Sequence, residues 1–365
     1  MPLNFFAKDK SVGIDIGHFR VKAAQVERTS NGYKIIAFGS APTPENSVMD
    51  GVVTDPQAVG ATIRQLLRDT KISATCANLA VQGGSVVVRT VKMPKMPEST
   101  LRKSIRFEAG RYVPSSVQDS YIECEYLGDL EDGQMEVLVA ASPKDMVESR
   151  IAAATAGGLE TEIIDIEAFA LYRALIEANH DLDVSGEAIG IVDVGSETTH
   201  VSVVDSGSFA LTRTIPVGGQ TLTNALETYF KLSTEEAEEG KKALDLNSII
   251  SADGPMENPP LRVIQPLIDE LNREIRRSLN YFQSQQTGTT PTKPVKQIFL
   301  IGGGSLLRGL PVYIAHKLGM NVNSPSFLEN PRFELDEFDT DDDSHTLAVA
   351  VGLAMRRTGK AAAAA

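Results

Sequence analysis

The sequence has few of the residues that build covalently linked or metal-held structures. Cys76 and Cys124 are the only cysteines among 365 residues, which is too few for a disulfide framework. Its five histidines are scattered and show none of the spacings of a zinc site. We therefore expect a protein of a reducing compartment that holds no metal through cysteine or histidine.

Long apolar runs and an excess of positive charge are also lacking. The longest clear apolar run, Leu347 to Met355, has nine residues, about half of the ~18 that a membrane span requires. The first ten residues lack the apolar core of a signal peptide. The net charge of −13 has the wrong sign for steering towards DNA or anionic lipid. These features predict a cytoplasmic protein that neither enters the bilayer nor binds nucleic acid.

The most informative feature that is present is a long-range repeat. Residues 12–39 and 189–218 each open with an apolar strand carrying Asp-x-Gly, followed by a polar turn, a second strand, a hairpin signal and a third strand. Asp15 and Asp193, the aspartates of the two copies, lie 178 positions apart. Because helical patterns follow both copies, over 55–69 and 221–232, the sequence predicts two similar α/β lobes.

Two further segments do not belong to the duplication. Residues 84–160 predict a small inserted α+β subdomain, and 231–290 predict helices interrupted by a loop at 254–260. The elements predicted within the insert are a strand at 85–91, a Met-Pro turn at 93–97, a helix at 98–113, strands at 120–127 and 136–141, and a helix at 144–156. The predicted domains are therefore 1–83 with 161–187 for the first lobe, 84–160 for the insert, 188–230 with 291–358 for the second lobe, and 231–290 for a helical subdomain.

Two segments of biased composition carry no assigned function. The run 334–343 holds seven acidic residues in ten positions, which predicts a solvated loop, with an acidic metal or partner site as the alternative. The final run of five alanines, 361–365, has low complexity and nothing to pack against.

The two Asp-x-Gly turns are candidate phosphate sites. Asp15 and Asp193 each end a buried strand, and Gly17 and Gly195 lie in the turns that follow, where backbone N–H groups can approach an anion. Two such turns facing each other would hold a polyphosphate, and their carboxylates would bind Mg²⁺ through water molecules. A single Asp-x-Gly is only a turn signal, so this prediction depends on the matched pair.

A third glycine cluster offers a site of a different kind. Gly302, Gly303, Gly304 and Ser305 follow an apolar strand at 297–300 and precede a predicted helix at 306–318. This order would bring free N–H groups and the positive end of a helix to one point, where a phosphate or nucleoside could bind. The spacing matches neither G-x-G-x-x-G nor G-x-x-x-x-G-K-[ST], which excludes Rossmann and P-loop sites.

Taken in order, these three elements resemble the actin/Hsp70/sugar-kinase ATPase superfamily. Residues 15–22 and 193–199 look like its two phosphate loops, and 302–305 look like its adenosine motif. Segments 165–170 and 348–356 look like its two connecting helices. The resemblance implies an α/β actin/Hsp70-like duplicated fold of two lobes that binds ATP and Mg²⁺ in the cleft between them.

The resemblance also implies a set of site residues. Lys22 matches a phosphate-binding lysine of actin, and Glu238 with Lys241 resembles the pair that flanks adenine in FtsA and MreB. Asp15 and Asp193 would hold the metal. The cofactor-binding residues implied are Asp15, Gly17, His18, Lys22, Asp193, Gly195, Ser196, Thr198, Gly218, Gly219, Glu238, Lys241, Gly302, Gly303, Gly304 and Ser305.

The insert narrows the resemblance to one family. FtsA-type members carry a small subdomain in the first lobe, and residues 84–160 fill that place. Segments 101–114 and 136–171 look closely like the PilM family of type IV pilus assembly proteins. This implies an ATP-binding protein at the cytoplasmic face of the inner membrane that captures the N-terminal cytoplasmic tail of a single-span pilus protein, PilN in the family. Contacts with other proteins of the pilus motor or platform are a further implication.

Two residues and one alternative function stay open. Glu167 lies where MreB-like proteins position the attacking water, but it is equally a helix-start glutamate that stabilises the helix dipole. His200 coincides with an actin position near that water, although its strand pattern favours a half-exposed structural histidine. The alternative function is a small-molecule (sugar-type) kinase, which would need a polar sugar-binding cluster in the cleft. No such cluster is visible near Asp15.

Overall fold

The computed structural model describes most of the chain, with several gaps. The predictions for the acidic run beyond Leu335, the alanine tail and most of the loop at 254–260 lie outside the described residues. The structure describes residues 11–111, 113, 116–130, 132–179, 187–250, 258–285, 294–326, 330, 332–335 and 345–356.

The first lobe begins with an antiparallel meander and a helix. Its meander strands are rich in β-branched and apolar residues, and Val12 and Ile14 of the first strand are fully buried. The helix starts at Pro56, and the carboxylate of Asp55 just before it accepts hydrogen bonds from the backbone N–H groups of Gln57 and Ala58. The elements are β1 (Ser11–Ile16), β2 (Arg20–Arg28), β3 (Tyr33–Pro42), β4 (Val48–Met49), β5 (Val52–Val53), α1 (Pro56–Asp69) and β6 (Cys76–Val81).

The insert forms a separate three-stranded sheet covered by one helix. Its elements are β7 (Val87–Pro94), α2 (Glu98–Ala109), β8 (Ser120–Asp129) and β9 (Gln134–Pro143), with sheet order β7-β9-β8. Leu101, Ile105 and Ala109 of α2 pack on the sheet in a core of their own. The predicted α+β character is confirmed, although α2 ends at Ala109 rather than at residue 113, with Gly110 at its C-terminal cap.

The chain then returns to the first lobe. The next elements are α3 (Lys144–Gly157), β10 (Glu160–Ile166) and α4 (Glu167–Tyr172), which continues as a π-helical turn from Arg173 to Glu177. Helix α3 packs against α1, with Gly60 against Ala156 and Gly157 against Ile63. Although α3 falls inside the predicted insert 84–160, its buried residues thus join the core of the first lobe.

The second lobe repeats the meander and adds a helical segment. The helix at 306–318 is predicted too early: a 3₁₀ turn spans Gly303–Leu306, and the α-helix begins only after Gly309, whose φ of +80° breaks the run. The elements are β11 (Ala188–Val194), β12 (Thr199–Asp205), β13 (Ser208–Ile215), α5 (Gly219–Phe230), α6 (Thr234–Lys242), α7 (Asn247–Ile250), α8 (Pro259–Gln285), β14 (Val295–Ile301), α9 (Leu310–Leu318) and β15 (Asn321–Asn323).

A late strand of the chain returns to the first lobe. Strand β16 (Phe333–Leu335) pairs in parallel with β3, and Phe333 stacks on Tyr33 with ring centroids 5.8 Å apart. The first-lobe sheet therefore has the order β10-β6-β1-β2-β3-β16, and the second-lobe sheet has the order β13-β12-β11-β14-β15. The sequence grouped 291–358 with the second lobe, but residues 333–335 complete an edge of the first because this pairing buries Phe333.

Helix α10 (Ala348–Ala354) lies at the centre of the molecule. It packs on β1 and α4 in a core cluster that also includes Ile191 and Phe209 of the second lobe. The packing is closest at Gly352, where any side-chain carbon would overlap the carbonyl oxygen of Ala170. The buried Arg173 side chain donates to the Gly352 carbonyl and pairs with Asp165. The two predicted connecting helices thus meet backbone to backbone.

We expect the substitution Gly352→Ala to reduce stability sharply. Its methyl group has no space beside the Ala170 carbonyl, and overpacking of this kind costs about 2 kcal/mol or more in the free energy of unfolding. Gly240→Ala, inside α6 with open space around it, is the matched control and should gain up to about 1 kcal/mol from helix propensity. Equal urea midpoints for the two variants would contradict this account of the crossing.

Candidate functional site

The two Asp-x-Gly turns have the same backbone geometry. The Gly17 N–H donates to the carbonyl of Arg20 at 3.1 Å, and the Gly195 N–H donates to the carbonyl of Thr198 at 3.0 Å. A side-chain carbon on either glycine would lie 2.9 Å from that same carbonyl oxygen. The duplication read from the sequence therefore extends to the tight turns that follow β1 and β11.

Asp15 and Lys22 form a pair at the first turn. They are opposite each other in the β1–β2 register, and the Lys22 Nζ lies 2.8 Å from the Asp15 Oδ2. Burial lowers the pKa of Lys22, but the Asp15 carboxylate outweighs this and leaves the lysine pKa raised. Lys22 is therefore charged, and its ammonium group is paired with the Asp15 carboxylate rather than free in the cleft.

Two further carboxyl groups, those of Asp193 and Glu167, lie near this pair. Burial and the repulsion between neighbouring carboxylates oppose their ionisation. Burial raises the pKa of Asp193 to about 6, with Lys22 opposing the rise and Asp15 adding to it. Burial also raises the pKa of Glu167 well above its usual range, reinforced by Asp15 and Asp193 and opposed by Arg150 and Lys22. The cluster would thus be stabilised by an added cation.

His18 joins the two lobes at this point. Its Nδ1 lies 3.0 Å from the carbonyl oxygen of Val48 and 3.2 Å from the Glu197 Oε1. Val48 starts the small β4–β5 hairpin of the first lobe, whereas Glu197 belongs to the second Asp-x-Gly turn. A ring N–H at Nδ1 can donate to both oxygens, so His18 connects the two turns directly.

Four of the predicted residues gather at the start of α5. The Gly219 N–H donates to the Gly195 carbonyl at 2.9 Å, and a side chain on Gly218 would overlap the Ser196 carbonyl. Lys241 donates to the Gly219 carbonyl at 3.2 Å and to Glu238 at 2.6 Å. Burial raises the pKa of Glu238, but hydrogen bonds from Lys241 and Thr223 leave it lowered overall.

The third glycine cluster divides into structural and open positions. Gly302 has a φ of +85° and, like Gly304, lies so close to the second Asp-x-Gly turn that a side chain would overlap Asp193 or Val194. Ser305 is buried and donates to the Gly302 carbonyl at 2.7 Å. Gly303 alone has open space where a side-chain carbon would be. Of this cluster, Gly303 is therefore the position available to a ligand.

Thr198 and His200 form a hydrogen-bonded row on the second lobe. The Thr198 hydroxyl lies 2.9 Å from the His200 Nε2, and the Thr214 hydroxyl lies 3.1 Å from its Nδ1. Burial lowers the pKa of His200 to about 4, so the ring is neutral at physiological pH. The strand histidine that the sequence favoured is therefore held on both sides by threonines.

The donor set suits a hydrated Mg²⁺ better than a metal held by protein alone. Within the part of the chain that the structure describes, no three His, Cys, Asp or Glu side chains group as a complete metal site. Asp15 and Asp193 supply two carboxylates at a point with excess negative charge. Mg²⁺ commonly keeps several waters and takes only one or two carboxylates, so these residues fit it.

The sequence missed two residues near this site. Arg150 of α3 is buried, donates to the Gly51 carbonyl, and has an Nε with no partner. In the sequence, it is indistinguishable from an ordinary charged residue on a helix. His345 accepts the Gly302 N–H at 3.3 Å through its carbonyl, and its own Nδ1 is buried without a partner. Neither belongs to a motif, and only long-range packing brings either residue to the cleft.

We expect Asp193→Asn to stabilise the protein at neutral pH and not at pH 4. The native pKa of about 6 lies above the reference value of 3.8, so the unfolded chain releases this proton first and stability falls as pH rises between the two values. A native pKa about two above the unfolded value corresponds to about 3 kcal/mol in the free energy of unfolding at pH 7. Urea unfolding at both pH values, with the exposed Glu125→Gln as control, measures it. An equal effect of Asp193→Asn at both pH values would contradict the assignment.

Comparison with known proteins gives the context of this site. A chain from the PilM-PilN type IV pilus biogenesis complex superposes with a TM-score of 0.82 at 26% identity, covering 96% of this chain and 98% of that one. The cell division protein FtsA of Pseudomonas aeruginosa is 24% identical over 318 residues, 73% of each chain. FtsA of Bacillus subtilis is 24% identical over 260 residues, 64% of this chain, which spans only 57% of that protein.

These likenesses confirm the actin-like α/β fold with its FtsA-type insert. Within the described residues, no helix has both the length and the apolar character that a membrane span requires. A family model for the type IV pilus assembly protein PilM matches residues 13–358, nearly the whole chain. The chain belongs to the PilM family of type IV pilus assembly proteins.

Proposed function

We propose that the protein is a nucleotide-dependent interaction module of the pilus assembly platform. The observation that carries the proposal is the meeting of two Asp-x-Gly turns of similar backbone geometry at one cluster of acidic residues, with the open Gly303 beside them. This arrangement supplies backbone N–H groups for phosphates and carboxylates for a hydrated cation. ATP with Mg²⁺ is the ligand that uses all of these groups.

Individual roles follow from the contacts. Asp15 and Asp193 would bind the waters of Mg²⁺, which would release Lys22 from Asp15 to contact a phosphate. Glu238 and Lys241 are held at the start of α5, where they would flank the base. His18 and Glu197 would have to separate or turn as a triphosphate enters between the two lobes.

Glu167 fits a site of slow turnover. Burial and the nearby Asp15 and Asp193 raise the pKa of Glu167 well above its usual range, which favours its protonated form and makes it a weaker acceptor for a proton from an attacking water. Cation binding to the cluster would lower that pKa and restore the base. We therefore propose weak hydrolysis that depends on Mg²⁺, with Glu167 as the residue that positions the water.

The proposed partner is the N-terminal cytoplasmic tail of a single-span pilus protein, of the PilN type. Support comes from the 0.82 TM-score with the chain of a PilM-PilN complex. It also comes from the insert, whose sheet is separate from both lobes. Because Arg150 and Ser149 of α3 hold the β4–β5 hairpin that His18 also contacts, the first lobe beside the insert is linked to the phosphate turns. The tail would place the protein at the cytoplasmic face of the inner membrane.

Nucleotide binding is tested at Gly303 and Asp193. We expect Gly303→Val to weaken Mg·ATP binding at least tenfold without loss of stability, because its side chain would extend into the open space that a nucleoside needs. Asp193→Ala should weaken Mg·ATP in the same way, since it removes one of two carboxylates. Gly128→Val, on the insert and equally open, is the control. Unchanged calorimetric affinity in both test variants would refute the site.

Tail capture is tested with a synthetic peptide of the cytoplasmic N-terminus of the co-encoded single-span protein. We expect modest affinity that increases with ATP, because closed lobes would lower the cost of ordering the peptide. Hydrogen exchange should show protection within 84–160 and the neighbouring first lobe. Protection confined to 231–290, or no binding in any nucleotide state, would instead favour the kinase alternative, which a screen for ATP-dependent phosphorylation of small molecules would test.

A further inference from the structure

Helix α2 lies on the side of the insert that faces away from the two lobes. Val137 and Val139 of β9 pack under the helix, whereas Leu138 between them packs against the core that the lobes share. Successive residues of a strand point to opposite faces, so the insert sheet separates α2 from the lobes. On the lobe side of this sheet, the Thr90 hydroxyl donates to the Phe209 carbonyl at 3.0 Å. The outer face of α2 therefore points away from both lobes.

That outer face is basic and carries an exposed aromatic ring. Lys103, Arg106 and Phe107 follow one another at helical spacing, on the side opposite the buried Leu101 and Ile105. Both cations are exposed, and Phe107 is 85% exposed, the largest fraction among the exposed large apolar residues of the described chain. A lone apolar residue is common on protein surfaces. Here, however, the ring lies among cations on one helix face.

The carboxylates nearest to this face lie at its flanks and are paired. Glu98 and Glu108 are each offset by three positions from a buried residue of α2, so they border the buried stripe. Glu98 lies 2.9 Å from Arg102, which also reaches Glu123 of β8 at 3.2 Å. Glu108 lies 2.8 Å from Arg111. Residues 98–111 hold four cations and two glutamates, so the outer face has an excess of positive charge.

We infer that this face of α2 contacts the anionic lipid surface of a membrane, with Lys103 and Arg106 against lipid phosphates and the Phe107 ring in the headgroup layer. Cations beside an aromatic side chain are typical of protein surfaces that lie on membranes. A fluid headgroup layer accommodates a ring that projects from a convex helix face, whereas an acidic protein would need a matching pocket for it. The chemistry therefore favours lipid as the occupant.

Screening decides between this local excess and the net charge of −13 of the whole chain. At physiological ionic strength, interactions between exposed charges fall off over about 8 Å. A helix is about 10 Å across, so carboxylates beyond the insert sheet lie more than one screening length from lipid that touches α2. The cations of α2 therefore outweigh the acidic lobes at such a contact.

The contact is weak and reversible by itself. Each Lys or Arg near an anionic surface contributes about fivefold to partitioning, and stable attachment to a membrane takes a second signal. A membrane-anchored partner supplies that signal by keeping the protein at a high local concentration near the lipid. Lipid contact then fixes which side of the insert faces the membrane. It requires neither nucleotide nor the partner's tail.

Partitioning of the full chain onto lipid vesicles at low ionic strength tests this contact. Vesicles of equal parts phosphatidylglycerol and phosphatidylethanolamine should bind the wild type, and added salt should release it, whereas phosphatidylcholine vesicles should not bind it. Lys103→Glu combined with Arg106→Glu should weaken binding at least tenfold, and Phe107→Ser about threefold. Arg68→Glu combined with Arg262→Glu, at exposed positions of α1 and α8, is the control of equal charge change and should bind within twofold of the wild type.

A fluorescent variant reports the contact directly and does not depend on charge reversal. Because the chain has no tryptophan, Phe107→Trp introduces a single indole at the exposed position. Its emission should shift to the blue on the anionic vesicles, and lipids brominated near the headgroup should quench it. Circular dichroism and urea midpoints report whether each variant is folded.

Several outcomes would overturn the lipid contact. They are equal binding to neutral and anionic vesicles, no binding of the wild type to anionic vesicles, equal losses in the control and the Lys103 and Arg106 variant, and bound protein whose indole emission is unchanged. Absence of vesicle binding would favour an acidic protein as the occupant. Nucleotide binding and tail capture are measured with ATP and peptide in the absence of lipid, so their failure is distinguishable from failure of this contact.

Discussion

The crossing of α10 over β1 and α4 is the constraint on which the rest of the structure depends. Gly13 and Gly352 allow backbones to touch there, because a side chain at either position would overlap a carbonyl oxygen. The core around α10 collects apolar side chains from both lobes, so the lobes share one interior at their base. This shared core holds the two Asp-x-Gly turns next to each other, where His18 of one contacts Glu197 of the other.

Charge imbalance is the second constraint, and it explains why the site is suited to a bound cation. Three buried carboxylates face Lys22 and the more distant Arg150, and the raised pKa values of Asp193 and Glu167 express the cost. A folded protein keeps such a cluster at the expense of stability, which is common where function requires it. Glu167 and Asp193 also line a cavity of about 280 Å³ that lies where the first lobe, the insert and the second lobe meet.

The sequence predicted those parts of the fold and site that depend on local pattern. Alternating strands, the two Asp-x-Gly turns and the amphipathic helices each extend over a few residues, and periodicity or glycine reveals them. Prediction from the sequence failed where contacts between distant segments determine the structure. The apolar run after Ser305 looked like the start of a helix because nothing local shows that Gly309 adopts a left-handed conformation. Contacts between residues far apart in the sequence also determine the pairing of β16, the hydrogen bond of Arg150 and the lining of the cavity between the lobes. No local pattern reveals such contacts.

The pairing of β16 with β3 bears on how the chain folds during synthesis. Most second-lobe core residues lie within one continuous stretch, 188–322, so that core is complete soon after the stretch leaves the ribosome. The first lobe emerges earlier but lacks an edge strand until residue 335 and its central helix until residue 354. The core cluster that includes Ile35 and Leu171 must wait for Leu347–Met355, although a second core cluster of this lobe lies within residues 12–164. The lobe made first is therefore completed last, and until then it exposes the surfaces that chaperones bind.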